Sequence, residues 1–251
     1  VSKQRTVIVT GAAGGIGKAI AQAFTKQNDF VYIADLNREA AEETAASLGA
    51  NAKGIHLDVT DEASIQSAIA QITLEKGSIE VLVNNAGLQY RSPIESFPLE
   101  KWNLLLNVML TGVFLMTKHV FPHMKEAGYG RIVNISSVHG KLATPEKVAY
   151  VAAKHGVIGV TGVTALEGAA HNITANSILP GPVRTDLVQK QLDSLTVKGL
   201  TEKEALETIL YPRQAMNRFI QPEEVASGVL YLASDAASGI TGEHLSVAGG
   251  M

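Results

Sequence analysis

Short apolar runs alternate with stretches of helical periodicity from one end of the chain to the other. Seven runs read as strands: Thr6–Val9, Phe30–Ala34, Gly54–Leu57, Ile79–Val83, Arg131–Ile135, Thr174–Leu179 and His244–Val247. They are rich in Val and Ile and often apolar on both faces, as parallel strands covered on two sides must be. Helical patterns fill 15–27, 39–48, 61–76, 99–126, 148–170 and 222–234, with Asp61 and Pro222 as suitable helix starts. Strand–helix alternation implies parallel pairing through right-handed crossovers. It predicts an α/β fold with a doubly wound sheet and helices on both faces. No linker, repeat or shift in composition divides the chain, so residues 1–251 read as one domain. The charged, helical segment at about 185–216 breaks the rhythm just after the sixth strand. Ligands of such sheets bind beyond the carboxyl ends of the strands, so this segment is a candidate substrate lid.

Composition narrows the classes. Of 251 residues, 46% are hydrophobic and 18% charged, enough apolar material for a substantial core. The net charge of −3 comes from scattered residues, and no basic block marks a nucleic-acid surface. With no cysteine, disulfides, thiolate catalysis and cysteine-held metals are excluded. The N-terminus lacks the layout of a signal peptide. The greasiest stretch, Leu104–Met116, is interrupted by Asn107, Thr111 and Gly112. It falls short of the roughly 20 apolar residues a bilayer span needs, and reads as a buried helix. The expectation is a soluble cytoplasmic protein with no membrane partner.

Thr10-Gly11-Ala12-Ala13-Gly14-Gly15-Ile16-Gly17 joins the first strand to the first helix. Gly11 permits a tight turn, Gly15 lets backbone approach a pyrophosphate, and Gly17 lets the helix pack closely. The phosphates then sit at the positive end of a helix. Such a turn alone is weak; strand before and helix after strengthen it. Asp35 ends the second strand, where a carboxylate accepts hydrogen bonds from the adenosine ribose and repels a 2′-phosphate. The expected cofactor is therefore NAD. Asp35 can also cap the following turn.

Tyr150 and Lys154 share a face of a predicted helix, and Ser137 ends the fifth strand. Oxidising an alcohol requires a base for its proton. A tyrosinate serves once its pKa falls from about 10. A lysine ammonium favours the phenolate, and a serine hydroxyl can hold the same oxygen. The chemistry needs no metal.

Thr10–Gly17, Asn84-Asn85-Ala86-Gly87, Ser137, Tyr150 and Lys154 stand at the spacing of the short-chain dehydrogenase/reductase family, which the whole chain resembles. The resemblance implies a seven-stranded Rossmann sheet, a nicotinamide cofactor and a homotetramer. It implies cofactor contacts at Ile16, at Asp58 and Val59, at Asn85, Ala86 and Gly87, and at Pro180, Gly181, Val183 and Thr185, besides Tyr150 and Lys154. One position departs. The family's asparagine in the fourth helix, which holds a relay water, is here Met109, and Asn107 lies roughly 200° round the helix from it. The sole tryptophan, Trp102, reads as structural.

Gln89-Tyr90 through Phe97-Pro98, Ser137–Gly140, Tyr150–Gly156 and Leu187–Gln191 resemble the D-3-hydroxybutyrate dehydrogenases of that family. This implies that Gln89, His139, Lys147 and Gln191 grip a substrate carboxylate, with Ser137 and Tyr150 at the reacting oxygen. A short acid offers little apolar area, so its anionic end must orient it. Pro182 replaces a tryptophan common there, which implies a looser apolar wall. The expectation is NAD-dependent oxidation of (R)-3-hydroxybutyrate. The alternatives are a 3-oxoacyl reductase or sugar-alcohol dehydrogenase, or an NAD-binding sensor with weak chemistry.

Overall fold

All seven strands form one parallel sheet: β1 (Thr6–Thr10), β2 (Phe30–Asp35), β3 (Ala52–His56), β4 (Val81–Asn84), β5 (Gly130–Ile135), β6 (Ile173–Pro180) and β7 (His244–Val247). Their order is β3-β2-β1-β4-β5-β6-β7. The winding reverses between β1 and β4, which opens a crevice at their carboxyl ends. The described residues of the computed structural model are 4–197, 199–201, 204 and 214–251, without the side chains at 186, 187, 190, 191 and 194.

Helices cover both faces. On one lie α1 (Gly15–Lys26), α2 (Arg38–Leu48) and α8 (Pro222–Leu232), whose Ile20, Phe24, Ala41, Val225 and Val229 meet Val7, Val9, Val31 and Ile33 of the sheet. On the other lie α3 (Glu62–Lys76), α5 (Gly112–Ala127) and α6 (Val148–Gly168). There Ile65, Ile72, Met116, Val120 and Ala165 pack on Ile8, Tyr32, Leu82 and Ile132. Each central strand is buried on both faces, which is why its sequence is apolar at successive positions. A further helix, α7 (Asp186–Val197), follows β6. It opens the segment read as a lid, of which 198, 202–203 and 205–213 lie outside the described residues.

The predicted fourth helix has a fault in it. Helix α4 (Leu99–Leu106) runs into α5 through a π-helical turn at Asn107–Thr111. The continuous run, Leu99–Ala127, spans 29 residues, longer than the apolar stretch suggested. By length and composition alone, it and Val148–His171 reach what a membrane span needs, yet both lie along the sheet. Nor is Leu104–Met116 buried all round. Leu105, Met109 and Met116 face inward, while Leu104 and Phe114 are exposed, because a helix on a sheet hides one face only.

A chain of buried polar side chains ties α6 to the sheet. Asn84 Nδ2 donates to Asn134 Oδ1 (2.8 Å), Asn134 Nδ2 donates to Thr161 Oγ1 (2.9 Å), and Thr161 meets Ser177 Oγ (2.8 Å). Buried polar groups hold position only when paired, and losing a partner exposes the full desolvation cost of the rest. Asn134→Leu is expected to lower unfolding stability by about 1–3 kcal/mol. Urea denaturation checks this, and an unchanged midpoint at unchanged slope contradicts it.

Candidate active site

The glycine turn is built from both of its sides. Gly11 has φ +62°, and a side chain there would meet Ala86 Cα at 2.8 Å. Gly17 packs against the Gly11 carbonyl, and a Cβ on it would also lie 2.6 Å from Asn85 Nδ2. Asn85 Nδ2 donates to the carbonyls of Thr10 and Gly11 (both 3.0 Å), while Thr10 Oγ1 accepts the amides of Asn85 (3.0 Å) and Ala86 (3.1 Å). Asn85 and Ala86 thus brace the turn. Helix α1 then starts at Gly15 with no side-chain cap and no acidic residue in its first turn. Its free amides and dipole are left for an anion. Gly15, at φ +53°, presents bare backbone to the cavity.

Asp35 serves the turn and the site together. Its two oxygens accept the amides of Ala13 and Asn37, each at 3.1 Å. Arg38, the nearby cation suited to a phosphate, pairs with Glu42 at 3.2 Å. Asp58 accepts from Thr60 N (2.8 Å) and Thr60 Oγ1 (2.7 Å), which fixes the bend after β3. An uncapped helix start, a bare glycine and a carboxylate at the end of β2 are the donor and acceptor set that a dinucleotide needs. The residues present therefore fit a nicotinamide cofactor.

These groups open onto one cavity of about 800 Å³. Its wall includes Gly11, Gly15, Ile16, Asp35, Asp58, Val59, Asn85, Ala86 and Gly87, then Pro180, Gly181, Val183 and Thr185. Ser137, Tyr150 and Lys154 line it too, with Gln89, His139 and Lys147. Gly17 stays behind the turn as a packing residue. The Gln191 side chain lies outside the described residues.

Three polar ties set α6 against the end of β5. Lys154 Nζ donates to the Ile135 carbonyl at 2.7 Å, and Ser136 Oγ donates to the Lys154 carbonyl at 2.9 Å. The third is the Asn134–Thr161 bond. Tyr150, one turn before Lys154, reaches Ser137 with its hydroxyl. Lys154 Nζ lies 5.7 Å from the Tyr150 ring centre. Burial pulls the Lys154 ammonium down to about 8. Burial pushes the Tyr150 phenol up, and its hydrogen bond with Ser137 pulls it back. Met109 is fully buried in the same wall, its Sδ against Gly87, while Asn107 points outward and takes no part.

At the substrate end, Lys147 precedes α6. Burial, then the charge of Arg91, brings its ammonium down to about 8. Gln89 Oε1 is buried without a partner. His139 has both ring nitrogens engaged: Nδ1 lies 3.3 Å from Ser137 Oγ, and Nε2 lies 2.8 Å from Thr144 Oγ1. Burial first, then Lys147 and His155, hold its pKa down to about 4. The ring is therefore neutral and presents no free N–H to the cavity.

Sequence reasoning missed Arg91 and Thr144, both on the wall. Arg91 Nη2 meets Glu146 Oε2 at 2.8 Å, and Ser92 N donates to the Glu146 carbonyl at 3.0 Å. Glu146 has φ 67°, a left-handed backbone uncommon without glycine, and it directly precedes Lys147. A cation two residues after Gln89 was the available signal for Arg91; nothing local pointed to Thr144.

Known proteins share this geometry. The family described as "Enoyl-(Acyl carrier protein) reductase" matches residues 11–251. The uncharacterized oxidoreductase YxjF of Bacillus subtilis is 43% identical, covering 99% of this chain and 98% of its own. A D-beta-hydroxybutyrate dehydrogenase of Rhizobium meliloti is 40% identical, covering 98% of both. Among solved structures, a single-substitution variant of an actinorhodin polyketide ketoreductase with NADPH superposes at a TM-score of 0.93 with 34% identity. That match covers 100% of this chain and 98% of that one. With the glycine turn, the Ser137–Tyr150–Lys154 cluster and these matches together, the chain belongs to the short-chain dehydrogenase/reductase family of oxidoreductases.

Proposed function

We propose that the protein is a cytoplasmic NAD-dependent dehydrogenase interconverting (R)-3-hydroxybutyrate and acetoacetate. The observation that carries this reading is the half-buried lysine, Lys147, facing the same cavity as Ser137 and Tyr150, with Gln89 on the same wall. A half-buried ammonium and an unpartnered amide on one cavity wall suit a carboxylate. A half-turn of the Gln89 amide presents its NH₂ to that anion. Gln191 completes the grip in this reading, and α7, with Val188 on the cavity wall, covers the substrate. His139 is left out of the grip because its ring is already bonded at both nitrogens.

When bound, the nicotinamide supplies the hydride acceptor or donor. The chain's own residues handle the proton and the orientation. Tyr150 as phenolate takes the substrate hydroxyl proton, Ser137 holds that oxygen, and the Lys154 ammonium favours the phenolate. Asp35 supports NAD over its phosphorylated form, since its carboxylate lines the cavity at the end of β2, where the adenosine ribose would lie, and Arg38 pairs with Glu42. Asp58 and Val59 would flank the adenine, and Val183 and Thr185 the nicotinamide amide.

Initial rates with (R)- and (S)-3-hydroxybutyrate, each with NAD and with NADP, test this directly. The R acid with NAD is expected to be fastest. Faster turnover of neutral alcohols would favour a 3-oxoacyl reductase or sugar-alcohol dehydrogenase, and preference for NADP would remove the Asp35 argument.

The Lys147 ammonium is charged below about pH 8 and neutral above it. KM for the acid should therefore rise as pH passes that value. Lys147→Met should raise KM about 10- to 100-fold at neutral pH, the loss of one charge-assisted hydrogen bond, and abolish that rise. A KM insensitive to both changes would refute the grip.

We also propose a homotetramer. Leu99, Leu104 and Phe114 on α4–α5 and Val163 and Leu166 on α6 are exposed apolar side chains that a partner subunit would cover. Sedimentation should give four chains; a stable monomer at micromolar concentration would exclude it.

A further inference from the structure

Tyr150 must lose, in each oxidation, the proton it has taken. Tyr150 lines the cavity, and its neighbours differ in what they offer a proton. On one side Lys154 is 5% exposed, with Nζ held by the Ile135 carbonyl. Met109, buried in the same wall, offers only a thioether. On the other side stands a series of polar atoms. The Tyr150 hydroxyl faces Ser137, which pulls its pKa down. Ser137 Oγ is 3.3 Å from His139 Nδ1, and His139 Nε2 is 2.8 Å from Thr144 Oγ1. Thr144 is partly exposed, between Ala143 and Pro145 on the rim of the cavity.

The arrangement is held from several directions. Ser137 Oγ also accepts the His139 amide at 3.1 Å, so the short 3₁₀ turn Val138–Gly140 fixes the ring beside the serine. The His139 and Tyr150 rings meet edge to face, 5.7 Å apart. The charged and titratable groups facing His139 are Lys147 and His155 with Tyr150, all from α6 or its start. Arg91 and Glu146 stand beyond Lys147. Burial and this surplus of positive charge keep the imidazole neutral. A neutral imidazole has one nitrogen that accepts and one that donates, which is what a relay requires.

We propose that Ser137, His139 and Thr144 form the route by which Tyr150 exchanges its proton with solvent. In the oxidising direction the Tyr150 proton passes to Ser137 Oγ as the serine's own hydrogen passes to His139 Nδ1. The Nε2 hydrogen passes to Thr144 Oγ1, and the threonine's own hydrogen passes to water. Tyr150 ends one proton poorer, water one proton richer, and the serine and threonine are unchanged in proton count. The imidazole has changed tautomer. Transient release of the ring from Ser137 and Thr144 lets water exchange its N–H and restore the starting tautomer before the next turnover, and in reduction the same hops run inward. His139 and Thr144 are thus relay residues that act through Ser137. The role rests on the tyrosine chemistry above and is independent of the acid proposed as substrate.

Thr144→Val keeps the side chain's shape and removes the last hydroxyl. The test measures kcat on 3-hydroxybutyrate and on cyclohexanol, with and without added imidazole buffer. It also follows the ¹⁵N resonances of His139 by NMR. The expected result is a kcat about 100-fold lower in Thr144→Val at unchanged KM, the lower end of what an assisted proton transfer contributes. Imidazole should restore it and Thr144→Ser should recover most of it. The His139 ring should be neutral at pH 7, with an Nε2 resonance that moves in Thr144→Val. A wild-type rate in Thr144→Val without buffer dependence overturns the relay. So does an imidazolium at pH 7, or an Nε2 resonance indifferent to the substitution. Turnover of cyclohexanol alone would sink the hydroxy-acid reading and leave the relay to be decided on that alcohol. If neither alcohol is oxidised, the resonances decide it.

Discussion

The register of α6 against β5 is the constraint on which the site depends. Tyr150 and Lys154 lie on the helix, and Ser137 lies at the end of the strand. Only a fixed offset between the two elements brings the three together. Apolar packing alone is a poor ruler, since a helix can slide along a sheet of valines at little cost. The Asn134–Thr161, Lys154–Ile135 and Ser136–Lys154 bonds are buried and directional. A slip of one residue would leave all three unpaired, each at about 1–3 kcal/mol. The polar chain extends to Asn84 on β4, next to the Asn85 that braces the glycine turn. The cofactor end and the chemical end are thus parts of one hydrogen-bonded assembly.

Charge is distributed along the cavity with the same economy. The end beside α1 offers helix amides and the carboxylates of Asp35 and Asp58. The far end gathers Lys147 and Arg91, moderated by Glu146. Glu146 is held in its left-handed backbone by Arg91 at the side chain and by Ser92 at the carbonyl. That strain fixes where the chain enters α6, and hence where Lys147 sits. Substrate recognition turns on this local geometry more than on the shape of the apolar wall.

Most of this architecture was legible in the residues. The strands follow from continuous Val and Ile runs, because burial on both faces leaves no alternation to misread. The edges were harder. β3 starts at Ala52, earlier than its apolar signal at Gly54, because Ala52, Lys53 and Gly54 are half-buried at the sheet margin. β4 pairs only from Val81, where the Glu80 carboxylate, not a ladder carbonyl, takes the Thr6 amide. The π turn at Asn107–Thr111 left no mark, since one widened turn barely shifts a helical period. In the site, the glycine turn, Ser137, Tyr150 and Lys154 were readable because their spacing is local or tied to element ends. The Arg91–Glu146 pair joins residues far apart in sequence, so charge pattern could not reveal it. His139 shows the other limit: the sequence supplies a donor, and only the turn geometry shows that Ser137 and Thr144 already occupy it.

The most direct test of the central claim is a crystal structure of the chain with NADH and acetoacetate. The predicted result has the keto oxygen between Ser137 Oγ and the Tyr150 hydroxyl, and the carboxylate against Lys147 Nζ and the Gln89 amide. The adenosine ribose would then lie on Asp35. A carboxylate turned away from Lys147, or an acid found only outside the cavity, would contradict it.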